Sequence, residues 1–434
     1  MSDKVNVIFI TKYASFIAPA RAGKYLRLLS YLSQYFECTV VSPVEPFVDR
    51  KKLESDQVSY LWYYYPGFLL RKLYYVLKKR KKPSARKVKT NKPKKNNPVN
   101  LIFKYCSSLS FPDAYFDCGP IAFSITLFKV LTSKGKVVLV AGGYPFTNFF
   151  VALLCKKLFA NKVRLVLEFR DPFANNPLNK GSGWVPGLRR YFERSLIKES
   201  DQVWIYKGWF PAGVSYFKNE YPEYLNKVVE LPYAGFDKSI FVDNKVKDKK
   251  IIEFLHAGNF YGGDYSPVKF FQAISNVKKS GFTEFKISFY GGLSPDYLKL
   301  ADSLGISENV EYHGYIPYSS IGEKLQQSSV LLWISGAEIS YSDNLPSKVF
   351  DYIGANVPIM ALLPEGEGFD FAIQNNLEFV ALTSDVDAIE QCLYSVVDKF
   401  KKFELKANYR DIHKYSYDYL AEVVKDQIEE VVSK

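Results

Sequence analysis

A chain of 434 residues exceeds what one hydrophobic core ordinarily serves, so two domains of common size are expected. Its 47% hydrophobic and 24% charged residues exclude disorder throughout, and five cysteines without CxxC spacing exclude a disulfide framework and a cysteine zinc site. The net charge of +13 belongs to one segment: no acid lies between Asp56 and Asp113, Arg71 to Lys104 carries 14 Lys or Arg, and the other 44 stand against 45 acids.

From the amino terminus, Val5 to Ile10 is an apolar strand too short for a signal-peptide core, and no later run is long enough to span a bilayer. A cytoplasmic protein is therefore expected. Arg21 to Phe36 places Leu28, Leu29, Leu32 and Phe36 on one helical face, and Cys38 to Val41 returns as a strand, which makes a βαβ unit. An insertion, 57–112, interrupts this pattern. Its aromatics, Trp62 and Tyr64 among them, run into Lys78, Lys79, Arg80 and Lys81, a composition suited to an anionic membrane interface. Each such cation near the surface contributes about 1 kcal/mol. A solvated loop is the alternative.

Strand and helix patterns then alternate through Val137 to Ala141, Phe149 to Phe159, Val163 to Phe169, Gly187 to Glu199, Gln202 to Tyr206 and Val228 to Leu231. Continuous apolar strands joined by helices predict a parallel sheet covered on both faces. A polar stretch, Gly235 to Lys250, ends this first series and sets domains at 1–235 and 236–414. The second series begins with strand Ile251 to His256 and continues through strands Phe285 to Tyr290, Val310 to His313, Val330 to Ile334, Pro358 to Leu362 and Glu378 to Leu382. Helical segments lie between them, and an amphipathic helix, 415–434, is expected to pack back on the first domain.

Several chemistries are disfavoured by absence. There is no GxxxxGK[ST], no GxGxxG after the first strand, no GxSxG, and the three histidines are scattered. What remains are polar and glycine residues just after strands, where open α/β sheets bind ligands. They are Arg170-Asp171, Gly258-Asn259, Gly291-Gly292 and, after a polar loop, Pro346-Ser347-Lys348. Pro346 at a first helical position would leave the next amides free for an anion, and Lys348 adds a full charge, the makings of a diphosphate site. Asp351, one turn on, suits ribose hydroxyls. Asp343 lies eight residues before it, near where a sugar would sit.

The stretch Pro346-Ser347-Lys348-Val349-Phe350-Asp351-Tyr352-Ile353-Gly354-Ala355-Asn356-Val357-Pro358-Ile359-Met360, with Arg170-Asp171-Pro172 and Tyr233-Ala234-Gly235-Phe236-Asp237, resembles the retaining glycosyltransferases of family 4, of the bacterial O-antigen and capsule type. The resemblance spans nearly the whole chain. It implies the GT-B fold: two facing Rossmann-like, doubly wound α/β domains with the donor in the cleft between them. It also implies metal-independent transfer, without a cofactor, from a nucleotide-diphosphate sugar. The family's E-x7-E pair falls on Asp343 and Asp351, both shortened to aspartate, and the basic pair usual after the second domain's first strand is represented by Lys269 alone. Arg170 and Asp171 match the loop that presents a catalytic residue from the first domain.

The function expected on this basis is transfer to a lipid-linked saccharide acceptor at the inner face of the cell membrane. The alternatives are a non-catalytic binding protein of a polysaccharide assembly complex and a nucleotide-sugar epimerase on the same plan. Nucleic acid is set aside as a partner because no recognised motif accompanies the basic run.

Overall fold

The computed structural model describes residues 4–12, 19–45, 57–69, 72, 111–113, 115–175, 185–207, 213–233, 235–242, 249–260, 265–336 and 345–434. Two compact units emerge, Met1–Tyr233 with Leu420–Lys434, and Ala234–Tyr419.

The first unit is built on seven parallel strands: β1 (Asn6–Ile10), β2 (Glu37–Pro43), β3 (Ser59–Tyr63), β4 (Val137–Gly142), β5 (Val163–Phe169), β6 (Gln202–Tyr206) and β7 (Val228–Leu231). Their order is β3-β2-β1-β4-β5-β6-β7, so the winding direction reverses between β1 and β4. Every residue of β1, β4 and β6 is buried, which is why these strands read as unbroken apolar runs. The crossovers are α1 (Pro19–Leu32), α2 (Gly119–Thr132), α3 (Thr147–Leu158), α4 (Val185–Glu199) and α5 (Gly213–Glu220).

Part of the aromatic run read as membrane-facing forms the sheet's edge strand. β3 pairs with β2 from Thr39↔Ser59 to Pro43↔Tyr63, so Tyr60 and Trp62 lie on an edge strand, their rings stacked at 5.8 Å. Among the described residues of the run, Tyr63 and Tyr65 are buried, whereas Tyr64 and the neighbouring Leu69 stand exposed. Bulky aromatics fill a half-buried edge strand as readily as a lipid interface, and composition alone does not separate the two. Lys78, Lys79, Arg80 and Lys81 lie outside the described residues.

The second unit repeats the scheme with six parallel strands: β8 (Ile252–Ala257), β9 (Phe285–Tyr290), β10 (Val310–Gly314), β11 (Val330–Ile334), β12 (Ile359–Leu363) and β13 (Phe379–Leu382). Here the order is β10-β9-β8-β11-β12-β13, with the reversal between β8 and β11. Helices α6 (Val268–Lys279), α7 (Pro295–Ser303), α8 (Tyr318–Gln327), α9 (Lys348–Ala355), α10 (Glu367–Gln374) and α11 (Val386–Lys401) connect and cover them. Phe270, Phe271 and Ile274 of α6 share one buried cluster with Ile389 and Leu393 of α11.

The chain closes with α12 (Tyr417–Ser433). Phe236 is bracketed by the segment before this helix: its N–H donates to the Tyr415 carbonyl at 2.8 Å and its carbonyl accepts from Tyr417 at 3.0 Å. From Leu420 onward the helix belongs to the first unit, burying Leu420, Val424, Ile428 and Val431 as one stripe. There Lys136 donates to the Val432 carbonyl at 2.7 Å and Gln202 to Gln427 at 3.1 Å.

Candidate functional site

Ligands of doubly wound sheets sit beyond the carboxyl ends of the strands, at the reversal of strand order. In the second unit those ends belong to β8, β9 and β11. β8 finishes at His256-Ala257 and turns at Gly258, whose φ of 129° is a conformation that side chains with a Cβ avoid. β9 turns at Gly291, with φ of 118°, and a Cβ there would lie 2.3 Å from the Gly258 carbonyl oxygen. The two turns therefore touch backbone to backbone. Asn259 ties them further, accepting from the Gly292 N–H and the Tyr315 hydroxyl, each at 2.7 Å.

Lys348 reaches this turn from α9. A Cβ on Gly258 would come within 3.6 Å of its Nζ, so the glycine leaves open the space beside the ammonium. The buried His256 fixes the lysine's position. Its Nδ1 stands 3.1 Å from the Leu332 carbonyl, and since a carbonyl only accepts, Nδ1 carries the proton. Nε2 is then a lone pair facing Lys348 Nζ at 3.2 Å, and it accepts from the ammonium. Burial, and then the charge of Lys348, push the His256 pKa well below its ordinary value, so the ring stays neutral. Phe260 stacks on it at 4.3 Å. Loss of hydration likewise lowers the half-buried Lys348 to about 7, which leaves a cation that changes charge near neutral pH.

α9 carries the rest of the cluster. Pro346 precedes the helix rather than opening it: Ser347 holds the cap position and Lys348 is the first helical residue. Ser347 already has helical dihedrals, φ of −55° and ψ of −22°, and its side chain makes no capping hydrogen bond. Asp351 is buried and accepts from the Tyr318 hydroxyl of α8 at 2.6 Å. Tyr352 locks the helix to β8, its hydroxyl accepting from the Ala257 N–H at 2.8 Å. The structure thus gathers Gly258, Asn259, Gly291 and Lys348 around one turn, with Ser347 and Asp351 on the same helix end. Lys269 is exposed at the second position of α6 and takes part in none of these bonds. Asp343 lies outside the described residues.

In the first unit, Arg170 follows β5 and is committed to a neighbour. Its Nε and Nη2 donate to one oxygen of Glu168 at 3.0 and 2.7 Å, and both side chains are buried. Asp171 is half-buried beside it. Glu193 of α4 holds the loop that follows, accepting from the Phe173 and Ala174 N–H groups at 3.0 and 3.2 Å and from the Tyr216 and Tyr221 hydroxyls at 2.8 and 2.7 Å. Burial raises the Glu193 carboxyl, and these hydrogen bonds oppose the rise. After β1, Lys12 forms an ion pair with the buried Glu45 at 3.1 Å.

Sequence reasoning missed His256, Glu168, Glu193 and Glu45. Only Glu168 had a local signal, a carboxylate near the end of the otherwise mostly apolar run Val163 to Phe169. Its pairing is testable: Glu168→Ala should lower unfolding stability by about 3–5 kcal/mol, because Arg170 is left buried without its carboxylate. Glu168→Leu with Arg170→Met should recover most of that in urea titrations. Equal losses in both variants would show that the cost of Glu168→Ala does not come from an uncompensated Arg170 charge.

Among the described residues no group of three or more His, Cys, Asp or Glu is placed to hold a metal ion, and no helix is long and apolar enough to cross a membrane. No known family model matches the chain, and no curated protein does so by sequence. Solved structures do match by shape. Sucrose-phosphate synthase from Thermosynechococcus elongatus aligns with a TM-score of 0.59 at 9% identity, over 99% of this chain and 100% of that one. The apo form of the lipopolysaccharide outer core galactosyltransferase WaaB gives 0.54 at 10%, over 98% and 99%. A protein assigned as a UDP-N-acetylglucosamine 2-epimerase from Listeria monocytogenes gives 0.53 at 12%, over 98% and 97%. At such identities the likeness establishes the fold. The chain has the GT-B fold of two Rossmann-like units.

Proposed function

We propose that this protein is a glycosyltransferase whose second unit holds the diphosphate of a nucleotide sugar between the Gly258 and Gly291 turns and Lys348. The observation that carries this reading is the His256–Lys348 pair. A neutral imidazole points a lysine ammonium at a glycine turn, where a backbone and a charge together receive an anion. As the bond to the sugar breaks, negative charge grows on the diphosphate, and Lys348 with the amides opening α9 is placed to stabilise it. Asp351, steadied by Tyr318, is the proposed ribose partner, and Asp343 the residue nearest the transferred sugar.

In the first unit, Arg170 is proposed to act through its bond to Glu168, holding the loop so that Asp171 accepts the proton of the acceptor hydroxyl. Retention at the anomeric carbon, independence of metal and membership of family 4 follow from the motif resemblance and belong to the proposal. So does a lipid-linked saccharide acceptor met at the inner membrane face, which the basic segment Arg71 to Lys104 favours. Two solved structures of the same fold bear the names of sugar-transferring enzymes, and a third that of an epimerase, which would convert the nucleotide sugar with no acceptor present.

Isothermal titration in EDTA with UDP, GDP and other nucleoside diphosphates tests the site. Selective binding of one nucleotide, weakened at least about tenfold by Lys348→Ala, is the expected result, since a hydrogen bond to a charged group contributes about 1.5–3 kcal/mol. Binding of none would reject the site. Conversion of the matching nucleotide sugar alone, followed by NMR, would replace the transferase with the epimerase.

A further inference from the structure

We propose that the outer face of α2 and α3 is a docking surface for an anionic lipid bilayer. The two helices lie side by side and run parallel. At their starts, a Cβ on Gly119 would be 3.3 Å from the Thr147 methyl, and just past their ends Lys162 Nζ donates to the Ser133 carbonyl at 2.7 Å. On their carboxyl-terminal halves Phe128 and Leu131, three apart, and Leu154 and Leu158, four apart, form neighbouring stripes. Each of the four leaves more than half of its side chain exposed. Single exposed apolar residues are ordinary, but four on adjoining helix ends make a patch of the kind that marks an interaction site.

The charge around the patch selects the partner. From Cys118 through Leu167, 50 residues, there are seven Lys or Arg and no acid. Lys134, Lys136 and Lys157 are exposed at the helix ends. Glu37 and Asp201, which contact these helices, are each bound to one of their lysines, Lys129 at 3.0 Å and Lys156 at 2.6 Å. An apolar centre within a cationic rim matches the interface of a bilayer carrying acidic headgroups, where aliphatic groups enter the acyl boundary and lysines stay with the phosphates. An acidic protein would satisfy the rim, but the apolar centre and the length of acid-free chain favour lipid.

The surface is independent of the donor site, which lies in the other unit, so the two readings fail separately. Flotation with vesicles of phosphatidylcholine alone or mixed with phosphatidylglycerol tests it. The wild-type chain should float with the mixed vesicles only, and Phe128→Asp with Leu154→Asp should lower the bound fraction by more than about tenfold. Thermal unfolding and nucleotide titration of that variant should match the wild type. A second variant, Lys134→Gln with Lys157→Gln, leaves the apolar stripes intact and should weaken flotation while making it less salt-sensitive. Wild-type binding by the aspartate variant would overturn the proposal. So would a wild-type dimer in sedimentation that the aspartates convert to monomer, since the face would then join two copies of the chain.

Discussion

Affinity for a nucleotide sugar should fall about tenfold for each pH unit above 7, because Lys348 loses its proton there and must regain it to bind the diphosphate. Below 7 the ammonium is already formed and the affinity should level off. At the alkaline end the fall stops at the lysine's pKa in the complex, which the bound anion raises. A nucleotide sugar is the suitable probe, since its diphosphate is esterified at both ends and does not titrate in this range, whereas a free nucleoside diphosphate does. Lys348→Arg keeps its charge throughout and should flatten the profile. His256→Leu removes the lone pair that favours the charged lysine, so the break should move to lower pH. That shift separates a role for His256 in setting the lysine's charge from a role in packing alone. A flat wild-type profile would remove Lys348 from the anion site.

Replacing Gly291 by alanine should lower the stability of the second unit by about 2–6 kcal/mol and abolish nucleotide binding. Backbone strain at φ of 118° accounts for about 1–3 kcal/mol. The new methyl would also meet the Gly258 carbonyl at 2.3 Å, closer than any Cβ contact allows, and forcing the turns apart adds a comparable amount. Because Gly258 borders Lys348, the displacement falls where the anion is expected. Urea unfolding and titration should therefore change together. A variant with a wild-type midpoint and wild-type affinity would show that the two turns are not coupled.

The sheets were legible because buried parallel strands are continuous apolar runs: Val163 to Phe169, Gln202 to Tyr206, Phe285 to Tyr290 and Val330 to Ile334 begin and end where the sequence pattern places them. The edge strand was not legible, since Tyr60 and Trp62 sit among aromatics that run straight into a basic cluster. At the site, the glycines after β8 and β9 and Lys348 announced themselves by position after strands. Their partners did not. His256 stands 92 residues from Lys348, and Glu193 is 20 and 19 residues from the amides it holds, so no periodicity records either contact. Arg170 was visible as a charged residue just past a strand end, and its i, i+2 spacing from Glu168 fits the strand period, but the spacing alone does not say that the two side chains pair rather than face solvent.

Because residues Leu420–Lys434 complete a unit that otherwise ends at Tyr233, the half of the protein made first is finished last. During synthesis the amino-terminal sheet must wait, with the surface that Leu420, Val424 and Ile428 will cover still open, until the whole of the second unit has left the ribosome. The second unit, by contrast, is one unbroken stretch of chain and can settle while translation continues. A chain that ends at Tyr419 should then carry a complete second unit beside an incomplete first one, so the first sheet to be made is the last to be completed.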